Sequence, residues 1–446
     1  MAVYYDQGSS SFDWTHVSAP GGRNSGPGTV YLKGSHQQYG ELIVDQRNTE
    51  LNHSAVKPTP VPGGTYERFA VLRNAWVEVT SALSTPALEV VGGSVIFLDS
   101  LSGSFTSLRM LEGGAVDLRK PWGFADGMNV EISGTNAALR VMGGTPMRLS
   151  ALKVSGSGAT LAQNLILDGQ LRTLELDVSG PVEVGAGATI DVSGAGYLGG
   201  WQGVNVVQSG RTTGNVPSQR TSAGGSHGGH GAVQSGTAAI PVYGDYRNPS
   251  DFGSGGAGNS SGSLPGGNGA GVLRLSADSL VLNGKLLANG EDAYYPYGVY
   301  AGAGGSIRVQ ANALTGSGAM EAVGGAYGLA AGGRIAVYFD TATSSFTWNN
   351  ITARGSLYYP GGPGTVYLKG SLEAYGDLII DNANLDTNPQ SVAATDLLPS
   401  STGEQTFRNL TITRKSSVTT PDALTVTGTL TVDSSSRLQS SNLNLP

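Results

Sequence analysis

The chain has 446 residues, 69 of them glycine and none cysteine, and 13% are charged, against roughly 25% in an ordinary soluble domain. Glycine without a G-X-Y period excludes collagen, 39% hydrophobic residues exclude a disordered low-complexity chain, and the lack of cysteine excludes disulfides, cysteine-ligated zinc and thiol catalysis. A net charge of −7 leaves no basic footprint for nucleic acid or anionic lipid, and no apolar run is long enough to insert in a membrane.

Glycine and proline punctuate the chain too often for long helices, so its elements read as short β-strands. The first, in VYYDQGSSSFDWTHV from Val3, returns as VYFDTATSSFTWNNI from Val337, a shift of 334. GPGTVYLKG at Gly26 recurs at Gly362, and YGELIVD at Tyr39 recurs as YGDLIID at Tyr375, both shifted by 336. LRNAWVEV from Leu72 is read onto FRNLTIT from Phe407, and Thr85-Pro86 onto Thr420-Pro421. Residues 1–110 are therefore expected to be coils forming the first copy of a long repeat, and 334–446 a second, partial copy. The start falls inside a repeated strand, so the chain reads as an excised piece of a longer repeat protein, or as a subunit completed by a neighbour.

Further coils are expected over 111–193, ending in LELDVSGPVEVGAGATIDVSG from Leu174. From 194 to 271 strand alternation stops, and the tract reads as a glycine-rich loop insert. Over 272–333, GAGVLRLSADSLVLNGKLLANG and AGGSIRVQANALTGSGAMEAVG align at a shift of 34, which sets Asp278 beside Asn312 and Glu291 beside Gly325. Leu273, Ile307, Ile335 and Val366 then recur 34, 28 and 31 residues apart.

A repeat of two or three short strands cannot bury its apolar face alone, and stacking copies closes the ladder. The expected fold is all-β: a right-handed parallel β-helix (β-solenoid) with a glycine-rich insert, its hand following the rule for parallel crossovers. Glycine is expected at corners that need positive φ. The competitor is an antiparallel sandwich, with hairpins around Gly92-Gly93 and Gly113-Gly114.

The insert also carries chemistry. His227 and His230 offer nitrogen ligands, and Asp245 and Asp251 oxygen ligands, for an isolated calcium or other divalent ion; the same side chains serve equally well as backbone hydrogen-bond partners. No organic cofactor is expected. Trp201, Tyr243, Tyr246, Tyr294, Tyr295, Tyr297, Tyr300, Tyr327, Tyr358 and Tyr359 sit largely in segments joining one repeat to the next, so they are expected along one edge. There they form a binding surface for sugar rings or protein, or stack on one another to cover loop backbone. Gly258-Asn259-Ser260-Ser261-Gly262 fits G-x-S-x-G but lacks the strand and helix a nucleophile elbow needs. Acidic residues lie singly, so an enzyme is the minority reading; a polysaccharide lyase or glycoside hydrolase would work near Asp245 and Asp251.

GGSIRV, GGRIAVYFD and GPGTVYLKG, with GGSHGGHG and YGDYRNPSDFGSGG, resemble repeats of very large bacterial cell-surface, adhesin-like proteins over most of 170–380. The resemblance implies a secreted or surface-located β-helical structural protein and carries over no catalytic residue. Expected partners are further copies of the chain, stacked end to end into a filament by strand addition, and a glycan or host-surface ligand.

Overall fold

The computed structural model describes residues 1–13, 16–50, 54, 56–98, 105–120, 126–165, 167–233, 240–293, 298–386, 394–399 and 404–446. The protein is all-β with large parallel sheets, and the described residues contain no α-helix. It divides into two compact units: Met1–Asn164 with Leu176–Ile190 and Leu280–Gly284, and Leu165–Glu175 with Asp191–Ser279 and Lys285–Pro446.

In the first unit the strands Glu41–Asp45, Arg68–Leu72, Ala87–Val91, Ser107–Leu111, Met128–Ser133 and Met147–Ser155 pair in parallel, in that order. Leu42, Phe69, Leu88, Leu108, Val130 and Leu152 fall in one row, and Val44, Val71, Val90, Met110, Ile132 and Val154 in the next but one, all buried. Burying each such side chain stabilises by about 1.5–3 kcal/mol, which makes the rows the core. From Phe69 to Leu152 the rungs recur every 19 to 22 residues, shorter than the spacing near 30 expected for the chain. A second parallel ladder runs through Trp76–Val79, Val95–Leu98, Ala115–Leu118, Ala138–Val141 and Thr160–Gln163.

The chain passes from one ladder to the other at stacked left-handed corners. Arg73-Asn74 (φ 53° and 68°), Gly92-Gly93 (67° and 73°) and Glu112-Gly113 (49° and 82°) occupy them. Arg73 N–H donates to the Val91 carbonyl, Asn74 to Gly92, and Gly92 to Leu111. The glycine pairs that would also suit hairpins therefore stand at corners between two parallel ladders. On the outward face, residues between the core rows alternate in sign: Glu89, Arg109, Glu131 and Lys153 are in register. Arg109 bonds Glu89 at 3.2 Å and Glu131 at 3.0 Å, and Lys153 lies 3.8 Å from Glu131. A parallel stack sets each charge against its counterpart one rung away, so alternation of sign is the arrangement that avoids repulsion.

In the second unit Ile307, Ile335 and Val366 share one row, 28 and 31 residues apart as the sequence implies. Asn312 donates to Asp278 at 3.1 Å, which places those two as the 34-residue shift did.

Both long repeats contain one antiparallel pairing. Val3 pairs Leu32 in parallel, Val30 pairs Ile43 antiparallel, and Leu42 pairs Phe69 in parallel. Val337 with Leu368, Val366 with Ile379, and Leu378 with Leu410 repeat this arrangement. The second copy is five residues longer between Asp381 and Glu404 than the first is between Asp45 and Gly63. Downstream of that point the expected alignment slips. Phe407 corresponds to Tyr66 rather than Leu72, because Gln405 faces Leu424 as Gly64 faces Leu83. By the same register Val418 matches Val77, so Thr420-Pro421 does not match Thr85-Pro86.

The antiparallel step moves the core across the sheet. Paired residues project to the same side, so Tyr367 and Leu378 lie on one face while Val366 and Ile379 lie on the other. Tyr367, Ala336, Leu378, Ile380, Leu410 and Ile412 belong to one apolar cluster, whereas Ile307, Ile335 and Val366 line the opposite face. Arg334–Phe339 is accordingly buried on both faces over its first four residues.

The glycine-rich tract is not a loop. Segments 253–258, 266–271, 300–305 and 328–333 are buried throughout although most of their residues belong to no strand. Their amides donate with a period of three. Tyr300 and Ala303 bond Ala257 and Ser254, Ala301 and Gly304 bond Gly328 and Ala331, and Gly302 and Gly305 bond Glu291 and Ala288. Gly253 and Gly256 likewise bond Ala270 and Gly267, Ser254 and Ala257 bond Ser226 and Ala223, and Gly255 and Gly258 bond Arg211 and Gln208. Three residues per turn is the periodicity of the polyproline II helix, which makes no internal hydrogen bonds and so must bond sideways. Here each extended segment bonds three neighbours, and a side chain would occupy a neighbour's place. A Cβ on Gly302 would stand 1.8 Å from the Asn268 carbonyl oxygen, and one on Gly332 1.7 Å from that of Ala353. Neither has positive φ, so close approach of backbone, rather than a corner, demands glycine there.

Candidate functional site

The polar residues of the glycine-rich tract converge on Arg334, at the start of the strand buried on both faces. Its Nε donates to the Tyr243 carbonyl at 3.0 Å and its Nη1 to Thr365 Oγ1 at 3.2 Å. Burial pulls the guanidinium down to about 10, against the opposing charges of Asp245 and Asp251, so it stays protonated at neutral pH. Burial pushes the Asp251 carboxyl up, and the Arg334 charge opposes that. Gly244, at φ 85°, leaves room for this group, since a Cβ would lie 2.8 Å from Asp251 Oδ2.

Tyr243 continues the network. Its hydroxyl donates to the Phe252 carbonyl at 2.7 Å and so accepts from Ser254 at 2.8 Å, which accepts in turn from Thr212 at 2.8 Å. The His227 ring lies against that of Tyr243, tilted by 30° with centroids 5.0 Å apart. Its Nδ1 is 2.8 Å from the Gly304 carbonyl, and burial, helped by the Arg334 charge, holds the imidazole down at about 3, so it is neutral with the proton on Nδ1. His230 is used differently: Nε2 lies 2.7 Å from Asp396 Oδ2 and Nδ1 3.0 Å from the Ile240 carbonyl. Neither acceptor can donate, so both nitrogens carry protons.

The four residues considered as metal ligands are thus separately engaged. His227 binds a carbonyl, His230 binds Asp396, Asp245 accepts from Arg247 N–H at 2.8 Å, and Asp251 lies beside Arg334. Among the described residues no group of three or more histidine, aspartate or glutamate side chains is placed to hold a metal.

The aromatic residues divide. Tyr246 and Tyr300 are buried and Tyr243 is half-buried, rather than set on an exposed edge. Tyr246 sits between Tyr367 and Phe407, and burial pushes its hydroxyl beyond the ordinary range of tyrosine. Tyr300 packs on Ala232, Ala257 and Leu329, beside glycine segments that have no side chains of their own, and Tyr246 joins the apolar cluster of Tyr367 and Phe407. Trp201 is half-buried and donates from Nε1 to the Asn259 carbonyl at 2.8 Å. Tyr327, Tyr358 and Tyr359 are exposed. Tyr327 and Tyr358 are joined by a parallel bridge and stack at 4.8 Å with their planes 15° apart. Tyr294, Tyr295 and Tyr297 lie outside the described residues.

Sequence reasoning passed over Arg334 and Asp396. Arg334 alone had a signal: a charged residue in a rung where the neighbouring strands carry Ser306 and Thr365.

No protein-family model, curated protein or solved structure matches the chain.

Proposed function

We propose that the chain is a structural repeat segment of a large secreted bacterial surface protein, its coils forming a right-handed parallel β-helix that stacks into a rod or filament, with an exposed tyrosine edge that adheres to glycan. The observation that carries this reading is the long repeat: two copies share the same strand registers, including the antiparallel step. Repetition of a whole architectural unit serves length more directly than it serves catalysis. Trp201, His227, Tyr243 and Asp245 bond backbone groups and His230 pairs with Asp396, which supports a scaffold rather than a reaction centre. The Tyr327–Tyr358 stack and Tyr359 supply flat, partly polar surface suited to sugar rings.

Incubation with a polysaccharide panel tests the reading. Binding that falls about tenfold or more on combined Tyr327→Ala and Tyr358→Ala substitution is expected, with no new reducing ends. Release of reducing ends or unsaturated uronates would establish a depolymerase instead.

A further inference from the structure

The second long repeat shows what sits on the surface formed after its antiparallel step. Tyr246, only 5% exposed, packs against Tyr367 and Phe407 at 5.8 and 5.7 Å between centroids. The Arg247 guanidinium lies 4.7 Å over the Tyr246 ring, and the Tyr338 hydroxyl donates to the Arg247 carbonyl at 2.6 Å. Beside them Gly362 N–H donates to the His230 carbonyl at 2.7 Å, and a Cβ on Gly229 would come within 2.3 Å of the Pro363 carbonyl oxygen. The glycine-rich tract thus lays Gly229-His230 on Gly362-Pro363 and Tyr246-Arg247 on the three rings.

The first repeat carries the same seat. Tyr4, Tyr31 and Tyr66 stand where Tyr338, Tyr367 and Phe407 stand, and Gly26-Pro27-Gly28 where Gly362-Pro363-Gly364 stand. The local geometry is preserved. Tyr4 and Tyr31 are 6.0 Å apart at 65°, and Tyr338 and Tyr367 are 6.1 Å apart at 60°. Tyr31 Oη accepts from Gly40 N–H at 3.1 Å, and Tyr367 Oη from Gly376 N–H at 3.2 Å. The Thr59 hydroxyl donates to the Pro27 carbonyl, as the Thr395 hydroxyl does to that of Pro363. Yet Tyr4 is 72% exposed, and the Gly26 N–H has no acceptor among the described residues. Of these two seats, the glycine-rich tract 194–271 occupies the second.

We propose that the face formed by Tyr4, Tyr31, Tyr66 and Gly26 docks a glycine-rich segment bearing a Tyr-Arg tip, of the same kind as this chain's own 240–249 and supplied from outside residues 1–446. The inference rests on the repeat reading and names a partner for it; the polysaccharide result stands or falls independently, because the tyrosine edge is on other residues. Two differences set the expected strength: Gly64 replaces the Gln405 that accepts from Tyr246, and Pro60 replaces the Asp396 that pairs with His230. The first seat therefore binds more weakly than the second.

The test is titration of the intact chain into a fluorescent synthetic peptide of sequence Ile240–Pro249. Saturable binding at one site per chain is expected, falling about tenfold or more with Tyr4→Ala, and likewise when the peptide carries Tyr246→Ala. Tyr338→Ala in the chain should leave it unchanged. Tyr4 is exposed enough that its substitution does not threaten folding, and circular dichroism of the variant checks this. Absence of saturable binding, equal binding by Tyr4→Ala, or loss with Tyr338→Ala alone would overturn the proposal.

Discussion

His230 and His227 lie three residues apart in one glycine run, and the fold gives them opposite protonation. His230 faces a carbonyl and a carboxylate, so the imidazolium is favoured: burial works against the charge, and the Asp396 hydrogen bond and charge outweigh it. The His230 hydrogen bond in turn holds the Asp396 carboxyl below its usual value. The raised histidine contributes stability that is full below its unfolded value, about 6.5, and is lost as pH rises through its folded value. The depressed carboxyl contributes above its unfolded value, about 3.9, and its share is lost as pH falls through the folded value. The anchor is therefore strongest at mildly acidic pH. An NMR titration should place His230 above 6.5, and Asp396→Asn should bring it down; His230 titrating at or below 6.5 in the unsubstituted chain would contradict the pairing. None of this was legible locally, since Asp396 is 166 residues away and the run itself offers both histidines the same neighbours.

At the scale of elements, the sequence placed glycine well but gave it one role where the fold has two. In the first unit it turns corners, as at Gly92-Gly93, where one or two glycines interrupt an alternating strand. In the second unit, runs such as 253–258 and 300–305 lack alternation because every side of the segment meets backbone. That absence of alternation is the signal that separates the roles; composition alone cannot, because both demand glycine. The 19-to-22-residue rungs were equally available from Glu89, Arg109, Glu131 and Lys153, whose signs alternate at about that spacing, but the glycine clusters mark the longer 28-to-34-residue spacing. Gly302→Ala should destabilise by about 3 kcal/mol or more, since the new methyl would overlap the Asn268 carbonyl. Gly8→Ala, whose Cβ would meet nothing nearer than 3.6 Å, should change stability by less than about 0.5 kcal/mol. Urea unfolding of the two variants measures both.

At the scale of the whole chain, the repeat, its parallel pairing and the 28- and 31-residue steps were readable because side-chain alternation fixes strand register. The antiparallel step was not. YGELIVD and YGDLIID alternate in the same way whichever direction they pair, and only the identity of the facing strand reveals that the core changes sides. The glycine-rich tract bears most directly on function, since a folded body of backbone and a mobile binding loop would present its aromatic residues in different ways. Hydrogen–deuterium exchange of the intact chain, resolved to peptides, tests this. The amides of 253–258, 266–271 and 300–305 are predicted to exchange as slowly as those of the Ser306–Gly316 strand, because each is bonded to a neighbouring segment. Exchange of those peptides at the rate of an unstructured chain would contradict it.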